Sequence, residues 1–179
     1  MQDTIAAQKI LTVFARYGFK KTSMEDIAQA AGLSRQSIYN RFGSKEAVFD
    51  WTVETITSEI FRQVTKVLAA KTETPLETLL HAFDISTGNH VSIWSGTSHG
   101  AEIIDLAMAS ANRSSAYQSD GFVTMVSEFI LKSGLAHDAS LAEDKAFVLK
   151  LASKGLLLIA KSPEEYSKEM RRVISATLD

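Results

Sequence analysis

The chain has no cysteine and only two prolines among its 179 residues. Without thiols it has no disulfide framework and no thiolate ligand or nucleophile, which fits a reducing interior. So few prolines leave long helices uninterrupted, and strand-like alternation of polar and apolar residues is scarce. No stretch approaches the roughly eighteen apolar residues of a membrane-spanning helix; the longest strongly apolar run is near Leu156 to Ala160. The start, Met1 to Thr4, does not read as a secretory signal, so a cytoplasmic location is expected. The four histidines, His81, His90, His99 and His137, are scattered singly, which gives no metal-ligand spacing. Ser98, His99 and Asp105 lie close together, yet no GxSxG elbow, His-x-x-x-His pair or glycine-rich phosphate loop accompanies them. An enzyme is therefore not expected, nor a metal or a cofactor.

What remains is helical. Hydrophobic content of 45% with 22% charge is globular, and apolar residues recur at helical spacing through most of the chain, predicting an all-α fold. The best-marked stretch is Thr22 to Glu46. Met24, Ile27, Ala28 and Ala31 form one face of a short helix, and Thr22 or Ser23 with Glu25 or Asp26 makes a capping box at its start. Gly32 suits the left-handed position that ends a helix, Leu33 is expected to turn back into the core, and Ser34 caps the next helix. That is a helix-turn-helix layout.

The second helix, Arg35 to Phe42, has only Ile38 and Phe42 to anchor it, which leaves Arg35, Gln36, Ser37, Tyr39, Asn40 and Arg41 facing outward with no carboxylate among them. This set suits nucleic acid. Arginine can grip guanine and an amide can grip adenine by paired hydrogen bonds, while hydroxyls reach phosphate oxygens. The first turn of a recognition helix reaches the base edges, so Arg35 and Gln36 are the expected base contacts. Thr22, Ser34, Ser37, Tyr39, Asn40 and Lys45 are the expected phosphate contacts. Charge agrees: residues 1–47 carry seven Lys/Arg against four acids, the remainder twelve against seventeen, so a basic head joins an acidic body.

These residues carry a family resemblance. The first helix ending in Phe14, Tyr17 and Gly18, then Thr22, Ile27, Ala28, Ala31, Gly32, Leu33, Ser34, Ile38, Tyr39, Phe42, Ser44, Lys45 and Glu46 resemble the DNA-binding domain of the tetracycline-repressor (TetR) family of bacterial transcriptional regulators. The likeness runs over roughly residues 5 to 50. Arg41 departs from it, standing where the family more often carries an aromatic residue, and adds a candidate phosphate contact.

The expected architecture is a three-helix head, residues 1–47, joined by a long helix from Lys45 to about Ala70 to a helical ligand-binding and dimerisation domain, residues 48–179. Pro75 opens a fifth helix, Ser86 to Ser98 reads as irregular, Ala101 to Ala111 as a short helix broken at Asn112 to Ser115, and Phe122 to Leu131 as the next. Trp94, His99, Met108, Tyr117, Phe122, Met125 and Phe129 are the candidates for a ligand pocket. From Ser140 to Ala160 apolar residues point in nearly every direction, so that helix needs cover on more than one side. With the last helix it predicts a four-helix interface between two copies of the chain, built on Phe147, Leu151, Leu157, Leu158, Tyr166, Met170, Val173 and Ile174. The TetR resemblance implies the same homodimer. The expected function is a regulator, of repressor type, that binds a pseudo-palindromic operator in double-stranded DNA and is released by a small-molecule effector. The alternatives are an activator or constitutive regulator of the same fold, or a helical ligand-binding module or enzyme.

Overall fold

The computed structural model describes residues 2–70, 74–113 and 119–178. Among them there is no strand, and the elements are α1 (Gln2–Tyr17), α2 (Met24–Ala31), α3 (Arg35–Phe42), α4 (Lys45–Ala69), α5 (Pro75–Ser86), α6 (Val91–Ser95), α7 (Gly100–Arg113), α8 (Ser119–Lys132), α9 (Ala139–Ile159) and α10 (Pro163–Leu178), with a 3-10 turn at Gly88–His90. No helix among these residues is long and apolar enough to cross a membrane.

The chain forms two compact units, Met1–Glu59 with Gly96–Tyr117 and Ile60–Ser95 with Gln118–Asp179. Helix α4 is continuous through Glu59 and Ile60 and so contributes to both.

In the first unit α1 buries Ala7, Ile10, Leu11, Phe14 and Ala15, α2 buries Met24, Ile27 and Ala28, and α4 buries Val48, Phe49, Val53 and Ile56. Three rings tie α1, the turn after it and α4 together. Phe14 stacks on Phe19 at 5.5 Å, and Phe49 meets Phe14 and Phe19 edge-on at 5.1 and 5.4 Å. Edge-to-face contact of this kind adds about 0.5–1.5 kcal/mol per pair beyond area burial. Helix α7 belongs to this unit and packs on α1. The His99 amide donates to the Ala15 carbonyl at 3.1 Å.

In the second unit Leu79, Leu80 and Phe83 of α5, Phe122, Val126 and Ile130 of α8, Ala142, Ala146, Leu149 and Leu156 of α9, and Tyr166, Met170 and Ile174 of α10 share one core. A hydroxyl seam runs through it. The Tyr166 hydroxyl is 2.7 Å from Ser153 Oγ, which donates to Thr87 Oγ1 at 3.0 Å.

This core corrects the expected dimer surface. Tyr166, Met170 and Ile174 are completely buried within one chain. Burying each such side chain contributes about 1.5–3 kcal/mol, together comparable with the net stability of a whole domain, so they are not available to a second copy. Leu157 and Val173 are half-buried against the same core. Of the expected interface residues, Phe147, Leu151 and Leu158 of α9 are the exposed ones, and with Val148 and Ile159 beside them on the same helix they are 48–70% exposed.

Two expected boundaries shift. The irregular stretch contains the 3-10 turn and the five-residue α6, and α7 runs on through Asn112 to Arg113; Ser114 and Ser115 lie outside the described residues.

Candidate nucleic-acid interface

The local physics of α2 and α3 is that of two capped helices set around a fixed turn. Ser23 Oγ accepts from the Asp26 amide at 3.2 Å, and Asp26 Oδ2 accepts from the Ser23 amide at 2.9 Å. The box satisfies two donors that the helix cannot. The Ser23 hydroxyl and amide also hold the Asp26 carboxyl below its ordinary range. Gly32 closes the helix at φ +69, its amide donating to the Gln29 carbonyl at 3.1 Å, and the Leu33 amide reaches back to the Ala28 carbonyl at 2.9 Å. The Leu33 side chain, expected in the core, is 45% exposed instead; only its backbone returns. Ser34 then caps α3, accepting from the Ser37 amide at 3.1 Å, with the two hydroxyls 2.8 Å apart.

Of α3 only Ile38 is buried and Phe42 is half-buried, while Arg35, Gln36, Ser37, Tyr39, Asn40 and Arg41 are exposed. Helical spacing places Gln36 and Asn40 at the centre of this face, Arg35 and Tyr39 on one flank and Ser37 and Arg41 on the other. Gln36 Nε2 donates to Asn40 Oδ1 at 2.8 Å, so the two central amides hold each other. The Arg35 guanidinium lies 5.5 Å from the Tyr39 ring, a cation–π spacing that steadies both.

Two expected phosphate contacts are placed otherwise. Thr22 is 1% exposed, and its hydroxyl donates to the Gly18 carbonyl at 2.8 Å, so it fixes the turn before α2. Lys45 Nζ donates to the carbonyls of Lys20 (3.1 Å) and Thr22 (2.9 Å) and stands 4.9 Å from the Phe19 ring. Its charge is directed at the head's own backbone. Sequence spacing could not foresee this, because the partners lie more than twenty residues upstream.

The pocket candidates divide between the units. His99 and Met108 belong to the first, and Trp94, Phe122, Met125 and Phe129 to the second; Tyr117 lies outside the described residues. Phe122 meets Phe83 edge-on at 5.4 Å, and Met125 sulfur accepts from Thr65 at 3.2 Å. His99 Nδ1 is 3.1 Å from Glu102 Oε2. No group of three or more His, Asp or Glu side chains able to hold a metal occurs among the described residues.

Comparison with known proteins places this head. Residues 9–50 match the family described as "Bacterial regulatory proteins, tetR family". The chain is 34% identical over 59 residues to the HTH-type transcriptional repressor KstR2 of Rhodococcus jostii, covering 33% of this chain and 29% of that protein. It is 40% identical over 55 residues to the HTH-type transcriptional regulator YfiR of Bacillus subtilis, covering 31% and 27%. The matched stretch therefore spans less than a third of these relatives. Over the whole chain the fold is that of solved regulators. A TetR transcriptional regulator from Legionella pneumophila superimposes with a TM-score of 0.66 at 18% identity, covering 98% of this chain and 96% of that one. A transcriptional regulator from Rhodococcus gives 0.65 at 17% identity, covering 99% and 96%.

Proposed function

We propose that this chain, whose residues 9–50 match the head of the tetR family of bacterial regulatory proteins, is a sequence-specific DNA-binding transcriptional repressor that works as a homodimer in the bacterial cytoplasm and is released from its operator by a small molecule. The observation that carries the reading is the exposed face of α3. It offers cations, amides and hydroxyls with no carboxylate, and capped turns at both ends of α2 hold it in place. In the major groove Arg35 and Gln36 read base edges, while Ser34, Ser37 and Tyr39 meet phosphates. Asn40 sits between these roles.

Homodimerisation through α9 is supported by its exposed stripe of Phe147, Leu151 and Leu158. Gly155 lies in the same stripe, with nothing among the described residues within 4 Å of where a β-carbon would be, its own helix backbone and chain neighbours aside. Glycine inside a helix costs about 1 kcal/mol relative to alanine, and a close approach by a second helix would offset that cost. Two heads related by a two-fold axis would enter major grooves about 34–36 Å apart. A ligand that prefers a conformer with other head spacing would weaken DNA binding by a coupling of about 1–3 kcal/mol. Helix α4, shared by both units, is the element suited to transmit it.

The test is fluorescence anisotropy of the purified protein against a pool of duplexes that includes the DNA upstream of its own gene, at two salt concentrations. Tight, salt-sensitive binding of one selected duplex supports the reading, and Arg35→Ala should then lose about 1–3 kcal/mol and relax base preference. Weak, sequence-blind binding by a monomer would refute it.

A further inference from the structure

Arg41 is held in place by three groups of its own chain. Its guanidinium carbon lies 5.1 Å from the centre of the Phe42 ring and 5.1 Å from that of Trp51, and the two rings are themselves 5.1 Å apart. The third group is Asp3, whose Oδ1 is 3.5 Å from Arg41 Nη2. The side chains are 48% and 65% exposed, so the pair is open to water and to other ions.

Arg41 occupies the flank of α3 opposite Arg35 and Tyr39. A recognition helix in a major groove has a phosphate backbone on either side, and a planar guanidinium edge matches two phosphate oxygens as well as it matches a carboxylate. The rings limit the rotamers that a free arginine would have to give up on binding. Asp3 places an anion at one edge of that guanidinium, at a separation too long for a strong hydrogen bond and therefore easily exchanged.

Building on the DNA-binding reading above, we propose that Asp3 is an internal stand-in for a DNA phosphate: on binding, Arg41 exchanges the Asp3 carboxylate for the sugar–phosphate backbone, and the competition lowers affinity for every duplex alike. Arg41 is then a further phosphate contact, and Asp3 a device that restrains sequence-blind binding.

The test is a double-mutant cycle with the full chain, read by anisotropy on the selected duplex and on a scrambled one over a salt series. Arg41→Met should weaken both duplexes to a similar degree and reduce the slope of log affinity against log salt by about one. Asp3→Asn should strengthen both by about two- to fivefold at low salt, the scale of an exposed ion pair, and the gain should vanish in the Arg41→Met background. A gain from Asp3→Asn that persists without Arg41 would mean only a general change of field and overturn the proposal, as would an Arg41→Met protein with the wild-type slope. Far-ultraviolet circular dichroism and a thermal melt verify each fold; if Arg41→Met does not fold, Arg41→Gln, which keeps a planar group over the rings, takes its place in the cycle. A wild-type protein that selects no duplex would refute the DNA-binding reading itself, a separate outcome.

Discussion

The imidazole of His99 lies against the backbone of Gly18, so closely that a β-carbon on Gly18 would stand 2.9 Å from His99 Nδ1. Gly18 ends α1 with φ +80, and His99 immediately precedes α7. The contact fixes the start of α7 on the turn that leads into α2.

Gly18→Ala should therefore cost more than backbone strain alone, which is about 1–3 kcal/mol for such a conformation. Gly32→Ala is the control: its φ is +69, and nothing among the described residues would stand within 4 Å of the added carbon, its chain neighbours aside. Denaturant melts should show Gly18→Ala the more destabilised, and His99→Ala should remove the difference. Equal costs would show that the imidazole yields freely.

Lys45 bonds two carbonyls of the head, at 3.1 and 2.9 Å. Lys45→Met should lower the stability of the DNA-free protein by about 1 kcal/mol, less than a fully buried bond to a charged group because the site is half-exposed. A lowered melting midpoint without DNA supports this structural role. An unchanged midpoint with weaker binding would return Lys45 to the phosphates.

The exposed and buried faces of the last two helices should respond differently. Leu158, 70% exposed, tolerates an aspartate within one chain, so Leu158→Asp should give a folded monomer in sedimentation with little change in circular dichroism. Tyr166→Ala should lose about 3–5 kcal/mol, as truncation of a large core aromatic does. A dimeric Leu158→Asp protein would exclude this part of α9 from the interface.

Burial pushes the Tyr166 hydroxyl up to about 12, against the opposing hydroxyls of Ser153 and Thr87. The folded chain therefore keeps the neutral phenol where the unfolded chain, near 10, releases its proton. The contribution is complete below about pH 10 and is lost as pH rises to about 12, amounting to about 2–3 kcal/mol. Denaturant midpoints measured from about pH 9 to 12 should fall more steeply for wild type than for Tyr166→Phe, and parallel curves would disprove the shift.

Thr52 is completely buried on α4, and its hydroxyl has no hydrogen-bond partner among the described residues. Thr52→Val keeps the shape and removes an unsatisfied group, so it should stabilise the protein by about 1 kcal/mol. A loss of stability would show that the hydroxyl is satisfied in solution.

What the amino-acid order settles without help from tertiary contacts is local. Capping boxes, the glycine at the α2–α3 turn, Pro75 and the helical stripes are interactions over three or four residues, so the roles of Gly32 and Ser34 follow from spacing alone, and spacing narrows the capping box to Thr22 with Glu25 or Ser23 with Asp26, of which the structure forms the second. The outward set on α3 follows in the same way, because a helix with only Ile38 and Phe42 to bury has no choice of face. Tertiary structure decides which of several equivalent apolar stripes meets which. The stripe of α10 has the same periodicity whether it faces α5 or a second copy, and Tyr166, Met170 and Ile174 face inward. Tertiary structure also decides the use of polar groups whose partners are distant in sequence: Lys45 on the carbonyls of Lys20 and Thr22, Asp3 on Arg41 thirty-eight residues away, and His99 on Gly18. Periodicity fixes which side of a helix is buried; only packing in three dimensions fixes what it is buried against.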